Sequence, residues 1–278
     1  MTYSLETKPV LVLGATGTTG SRVAQRLTAT GVPVRLGSRS GSPAFEWENP
    51  ASWSPMLKGA RAAYLVYYPD LAFPGAAEKV GAFIDTALRH GVRRLVLLSG
   101  RGEPQAQLTE QMLINSGADW TVVRSSFFAQ NFGEKFFLYS VRSGVLALPV
   151  PDVPEPFVDV DDIADIVAAA LTEDVHIGQL YEVTGPELLT FTKALELISQ
   201  EIGRALTYVG LPPEDFAAAL RTQGLPDDLV EGFTQLLPEV LDGRNASVTD
   251  GVHRALGRPP RSFADYVRGT ADAGVWAD

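Results

Sequence analysis

Cysteine is absent from this chain of 278 residues. A disulfide framework, a thiolate nucleophile and a cysteine metal site are excluded with it. Histidine is scarce: His90, His176 and His253 stand far apart, without the close spacing of a ligand pair, so no metal site is expected. No apolar run reaches the ~18 residues of a membrane span. The opening MTYSLETKPV lacks the basic start and apolar stretch of a secretory signal. Positive charge is in deficit, 23 Lys and Arg against 33 Asp and Glu, a formal net charge of −10. Nucleic acid and anionic membrane both need a positive surface, so neither is expected as a partner. These absences predict a soluble cytoplasmic protein that acts on a small molecule, and they leave monomer and homodimer equally open.

What is present is apolar and periodic. Hydrophobic residues make up 45% of the chain, enough for one large core, or for a core plus a small lobe. Short β-branched runs alternate with amphipathic segments as far as residue 185. Val10–Gly14 reads as a buried strand, and Ser21–Thr30, with Val23, Ala24 and Leu27 at helical spacing, as the helix after it. Further strands are predicted at Val34–Leu36, Ala62–Tyr67, Arg94–Leu98, Trp120–Arg124 and Tyr181–Val183. Helices are predicted at Glu78–His90, Leu108–Ser116 and Asp161–Leu171, the last with Asp161 or Asp162 as its N-cap. Continuous apolar strands, each followed by a helix, imply an α/β fold: a Rossmann-type doubly wound parallel sheet covered on both faces. Residues 186–278 are helical in pattern and broken by prolines. They are expected to form a small substrate-binding lobe, packed as one unit on a nucleotide-binding domain of residues 1–185.

The segment VLVLGATGTTGSRVAQRL places Gly14, Gly17 and Gly20 between a strand and a helix. One glycine makes the sharp turn, one admits a pyrophosphate to the backbone N–H groups, and one lets the helix lie against the strand. The helix N-terminus then offers unpaired donors to the phosphates, with Thr16, Thr18 and Thr19 adding hydroxyls. The end of the second strand distinguishes the cofactor. A carboxylate there would hold the ribose 2′-OH of NAD. The sequence instead reads VRLGSRSGSP, with Ser38 and Arg39 in that place and no acid beyond them before Glu46. A guanidinium and a hydroxyl suit a 2′-phosphate, so the expected cofactor is NADP(H). In such a sheet the ligand lies beyond the carboxyl ends of the strands. Tyr67, Ser99 and Phe127 are therefore expected at the cofactor, and Tyr68, Arg101 and Phe128 at the substrate.

The glycine turn, GSRS, FEWENPASW, VLLSGRG, SGADWTVVRSSFFAQNF, FVDVDDIADIVAAAL, LYEVTGPELLTFTKALELISQEIGR and GRPPRSFADYV follow one another along nearly the whole chain. Together they resemble the NmrA-like branch of the atypical short-chain dehydrogenases/reductases. Phe45–Trp47, Trp53 and the C-terminal GRPPRSF bring the likeness closest to the ergot-alkaloid reductase subfamily and its bacterial relatives. The resemblance implies an NADP(H)-binding Rossmann domain with a small substrate lobe. It places Ser99 near the serine that short-chain dehydrogenases set beside the substrate. It matches Asn131 to the asparagine of the family's FxxN segment, in a substrate-binding or a structural role.

One departure bears on mechanism. Short-chain dehydrogenases use Tyr-x-x-x-Lys, whose lysine lowers the tyrosine pKa for proton transfer. From Arg101 to Glu134 this chain has neither tyrosine nor lysine. Ser99 and Tyr68, with Tyr181 further along, are the remaining hydroxyl candidates for a catalytic role. An iminium accepts hydride without simultaneous protonation, so the expected reaction is NADPH-dependent reduction of an iminium or a conjugated double bond, as in secondary metabolism. A quinone or enone reductase, and an NADP(H)-sensing regulator without turnover, stand as alternatives.

Overall fold

A computed structural model describes residues 8–134 and 136–277. The first seven residues, most of the segment read above for a targeting signal, lie outside the described residues. The chain alternates as its pattern predicts: β1 (Val10–Leu13), α1 (Thr18–Ala29), β2 (Val34–Gly37), α2 (Trp53–Leu57), β3 (Ala62–Leu65), α3 (Ala76–Arg89), β4 (Arg94–Gly100), α4 (Pro104–Asn115) and β5 (Asp119–Ser125). It continues with α5 (Leu138–Ser143), β6 (Val145–Leu148), α6 (Val160–Thr172), β7 (Gln179–Val183), α7 (Phe191–Ile202) and β8 (Thr207–Gly210). Helices α8 (Pro213–Thr222), α9 (Asp227–Val240), α10 (Gly251–Leu256) and α11 (Phe263–Asp272) complete it.

Among the described residues, six strands form one parallel sheet in the order β2-β1-β3-β4-β5-β7. Val10 of β1 pairs with Val34 on one side and with Ala62 on the other, so the strand order reverses there. Side chains alternate across a strand, which divides the sheet's apolar residues between two cores. Leu11, Leu13, Leu65, Leu95 and Leu97 meet Phe83 and Ile84 of α3 and Leu113 of α4. Val10, Val12, Tyr64 and Val96 meet Val23 and Leu27 of α1 and Ile163, Ile166 and Val167 of α6. Burial on both faces explains why β1 and β3 are apolar throughout.

Helix α6 begins at Val160, one residue earlier than expected, and is capped two residues before Asp161. Its N-cap is Asp159, which accepts from the Asp161 N–H at 2.8 Å, and not Asp161 or Asp162. Those two carboxylates sit in the first turn and are held by arginines. Arg26 of α1 donates to Asp161 at 2.7 Å, and the fully buried Asp162 pairs with Arg258 at 2.7 Å and with Arg261.

A third core belongs to the lobe over the carboxyl edge of the sheet, built on Phe132, Phe137, Phe157, Phe191 and Phe263. Here the structure adds a strand pair that the pattern does not announce. Strand β8 runs parallel to β6, with Val145 opposite Thr207, apart from the main sheet. The chain also crosses the division expected at residue 185 in both directions. Strand β6 joins the lobe, whereas α10 returns to the main sheet. Gly251 lies so close to β7 that a Cβ there would overlap the Glu182 carbonyl.

Candidate active site

The glycine turn has the geometry that its spacing demands. Gly14 has φ +60°, and a Cβ there would meet Val66 Cγ1 at 2.7 Å. Gly20 seats α1 against the turn: a Cβ would overlap the Gly14 carbonyl oxygen and stand 2.9 Å from the Leu13 oxygen. Gly17 is different. Its backbone is extended, φ −90° and ψ 175°, and no side chain caps the helix that it begins. A Cβ at Gly17 would approach only the Gly14 oxygen, at 3.2 Å, so the fold tolerates a side chain there. Its bareness keeps the uncapped end of a twelve-residue helix open to an anion, and the residues present fit a dinucleotide pyrophosphate. The threonines divide. Thr16 is exposed on the turn, Thr18 Oγ1 donates to Glu134 at 2.8 Å, and buried Thr19 accepts from the Tyr64 hydroxyl at 3.0 Å.

Strand β2 ends at Gly37, where a Cβ would press on Leu13 Cδ2 at 2.7 Å. Ser38 and exposed Arg39 follow, and the guanidinium lies over the Tyr68 ring, 5.4 Å from its centroid. Glu46 is carried off by the aromatic cluster of Phe45, Trp47, Trp53 and Phe83, its carbonyl accepting from Trp53 Nε1 at 2.9 Å. The structure thus brings Tyr68 to Arg39. At 61% exposure Tyr68 does not line the cavity described next, where the sequence reading had put it.

Beyond the ends of β3, β4 and β5 lies a cavity of about 270 Å³. The strand ends supply Val66, Tyr67, Ser99, Gly100, Arg101, Phe127, Phe128 and Asn131, and the lobe closes it with Phe136, Phe233, Leu236 and Leu237. Val66, whose side chain abuts Gly14, joins this cavity to the glycine turn. Tyr67 is buried against Trp47, and its hydroxyl accepts from Lys79 at 3.5 Å. Phe127 stacks on Phe137 with ring centroids 5.8 Å apart. Phe128 forms a backbone bridge to Val158, and the Asn131 carbonyl accepts from the Phe137 N–H at 2.9 Å.

Two expected site residues border the cavity with their polar atoms already engaged. The Ser99 hydroxyl donates at 2.6 Å to Glu110 of α4, a fully buried carboxylate that also accepts from Arg124 Nε at 2.9 Å. The Arg101 guanidinium donates to Glu182 at 2.6 Å, and at 2.8 Å to the carbonyls of Asn245 and Ser247 and to the Ser247 hydroxyl. It is a strut between β4 and the segment that follows α9, its guanidinium engaged in these four bonds. Tyr181 bonds His176 Nδ1 at 2.9 Å within the α1–α6 core and does not line the cavity.

The cavity holds carboxyl groups that the sequence reading missed. Glu155 is 2% exposed, and burial pushes its pKa from 4.5 to about 7 against the opposing Phe127 N–H, at 3.3 Å, and Arg101. Glu103 is buried with its carboxyl against the bare Cα of Gly100, where a Cβ would overlap it. Burial and the neighbouring Asp70, to which it is hydrogen-bonded, hold Glu103 well above the usual carboxylate range. Asp70 is itself raised by burial, although the Ala72 N–H donates to it at 2.8 Å. The available signal was position: Asp70 and Glu103 each follow an apolar strand within a few residues, on the loops that shape such a cleft. Among the described residues no group of three His, Asp or Glu is arranged to hold a metal ion, and no helix is long and apolar enough to cross a membrane.

A profile of the NmrA-like family matches residues 107–246. An uncharacterised oxidoreductase of Bacillus subtilis, YesF, is 31% identical, over 98% of each chain. The agroclavine dehydrogenase of Claviceps fusiformis is 30% identical, over 96% of this chain and 98% of its own. In fold, the chain is similar to the Escherichia coli NADPH-dependent quinone oxidoreductase in complex with NADPH. The TM-score is 0.74, at 23% identity over 94% of this chain and 99% of that one.

Proposed function

Because the chain belongs to the NmrA-like family, we propose that it is an NADPH-dependent oxidoreductase that reduces a small organic molecule at an iminium or a conjugated double bond. The observation that carries this reading is the position of Val66, which abuts Gly14 of the turn and also lines the cavity. The names of the Claviceps and Escherichia coli proteins, a dehydrogenase and an NADPH-dependent oxidoreductase, support it.

In this reading the uncapped N–H groups of α1 hold the pyrophosphate, and Ser38 with Arg39 takes the 2′-phosphate. Tyr67 and Phe127 would flank the nicotinamide. When bound, the cofactor supplies hydride. The protein's part is to place the acceptor carbon beside it and exclude water, which Phe136, Phe233, Leu236 and Leu237 do by closing the cleft with apolar surface. A cytoplasmic location and a role in secondary metabolism belong to the same proposal. The test is NADPH consumption across a panel of cyclic iminium ions and quinones. Tight NADPH binding without turnover of any acceptor overturns the enzyme reading and leaves a cofactor sensor.

A further inference from the structure

The Asp70–Glu103 pair has no assigned task, and three observations fit it for one. Glu103 lines the cavity while being more than nine-tenths buried, and its Oε2 has no hydrogen-bond partner among the described residues. Gly100, itself on the cavity wall, has no side chain where the carboxyl rests; a Cβ there would require the carboxyl to shift. Among the described residues no cation is ion-paired with either carboxyl. Arg101 is committed to Glu182, and Arg244 to Asp242 and Glu239. Among the described residues, the other charged groups that act on Glu103 are Glu110 on α4 and Glu239 on α9, both acidic.

We propose that Glu103, sharing a proton with Asp70, is a carboxylic acid donor to the carbonyl oxygen of a neutral conjugated-carbonyl substrate. This rests on the reductase reading and narrows its acceptor class. Two carboxyls side by side and largely withdrawn from water cannot both ionise cheaply, which favours one proton held between them. Were the bound cofactor to supply hydride to the far carbon of the C=C–C=O unit, the double-bond electrons would move toward oxygen. The Glu103 O–H bond breaks, its proton passes to that oxygen, and an enol and a Glu103 carboxylate result. The enol tautomerises to the saturated carbonyl, and solvent returns a proton through Asp70, the more exposed partner. The expectation of a reaction with no side-chain acid is replaced, for this substrate class, by an acid carried on the β4–α4 loop.

The test uses 4-(dimethylamino)cinnamaldehyde, whose absorbance moves to the red when its carbonyl oxygen accepts a hydrogen bond. The protein is held with oxidised cofactor so that no turnover occurs. The expected result is a red shift on binding that fades as rising pH removes the shared proton. Glu103→Leu binds the dye without the shift. Glu103→Gln keeps part of it, since an amide still donates. With NADPH present, Glu103→Gln lowers reduction of a conjugated carbonyl by about 10²-fold or more but that of a cyclic iminium by less than about tenfold, because only the former needs a proton. A shift unaffected by pH, a shift retained in Glu103→Leu, or no binding of the dye overturns the proposal. A pH-dependent shift with no NADPH consumption would leave the carbonyl donor standing and overturn the reductase reading alone.

Discussion

Gly17 and Gly20 stand three residues apart in the same turn, yet substitutions at them should fail in opposite ways. At Gly20 an added methyl would overlap the Gly14 oxygen, with the Gly14 carbonyl carbon at 2.7 Å and the Leu13 oxygen at 2.9 Å, all unyielding backbone. Ordinary contact needs ~3.5 Å, so α1 must withdraw by on the order of 1 Å. The helix cannot withdraw freely, because Val23, Ala24 and Leu27 are packed in the core. Overpacking of this kind costs about 1–3 kcal/mol, from which the better helix propensity of alanine recovers up to about 1 kcal/mol. Because every blocking atom is backbone the overpacking cost falls at the upper end, a net of about 2–3 kcal/mol, and at ~2–4 °C per kcal/mol for a chain of this size Gly20→Ala should melt roughly 4–12 °C below the wild type. Gly17→Val keeps an extended backbone open to any residue and meets one atom at 3.2 Å, so its melting point should stay close to that of the wild type. The valine would instead stand in front of the helix end and abolish NADPH binding. Thermal melts without cofactor and fluorescence titrations with NADPH separate the two effects. A Gly20→Ala protein as stable as wild type, or a Gly17→Val protein that binds NADPH normally, would refute this account of the turn.

Other outcomes follow from the same geometry. Arg39→Ala should weaken NADPH binding by about 10- to 150-fold, the worth of charged hydrogen bonds near 1.5–3 kcal/mol, and leave NADH unchanged in parallel titrations. Ser99→Ala, Tyr68→Phe and Tyr181→Phe should each cost less than about tenfold in single-turnover reduction of a cyclic iminium, because none of these hydroxyls is an obligatory acid. A loss of ~10³-fold in any of them would contradict that. Glu155 binds its proton more tightly folded, at about 7, than in an unfolded chain, near 4.5, so it destabilises the fold as pH rises across that interval. Glu155→Gln should match the wild type in acid and melt higher above neutrality, by on the order of 3 kcal/mol of stability. A variant that gains nothing at high pH would show that the carboxylate is stabilised by some other means.

The Rossmann frame was legible because its signals are local. Val10–Leu13 and Ala62–Leu65 are short apolar runs, and the glycine spacing encodes a turn within seven residues. What escaped depends on partners distant in sequence. Strand β8 is four residues long and largely exposed, and it becomes a strand only because β6, some sixty residues earlier, lies alongside. Arg101 was read as a substrate ligand because its position at a strand end is right; residues 182, 245 and 247 decide that its charge does structural work. Ser99 was likewise well placed, and its side-chain direction is set by Glu110. The carboxyl groups of the cavity were invisible for a related reason: an acid on a loop looks solvated until the lobe folds over it.

The way the chain crosses between sheet and lobe limits how this architecture can be recombined. Substrate preference in such a molecule looks transferable by grafting residues 186–278 from a relative. That chimaera would import β8 but retain the host's β6, and the two must match in register, Val145 with Thr207 through Leu148 with Gly210. It would also set a foreign α10 on the host's β7, where only a glycine fits against Glu182, and foreign carbonyls around the host's Arg101. A graft that carries residues 136–157 along with 186–278 preserves the strand pair, leaving the contacts of Arg101 and Gly251 as the joints to be matched between parents.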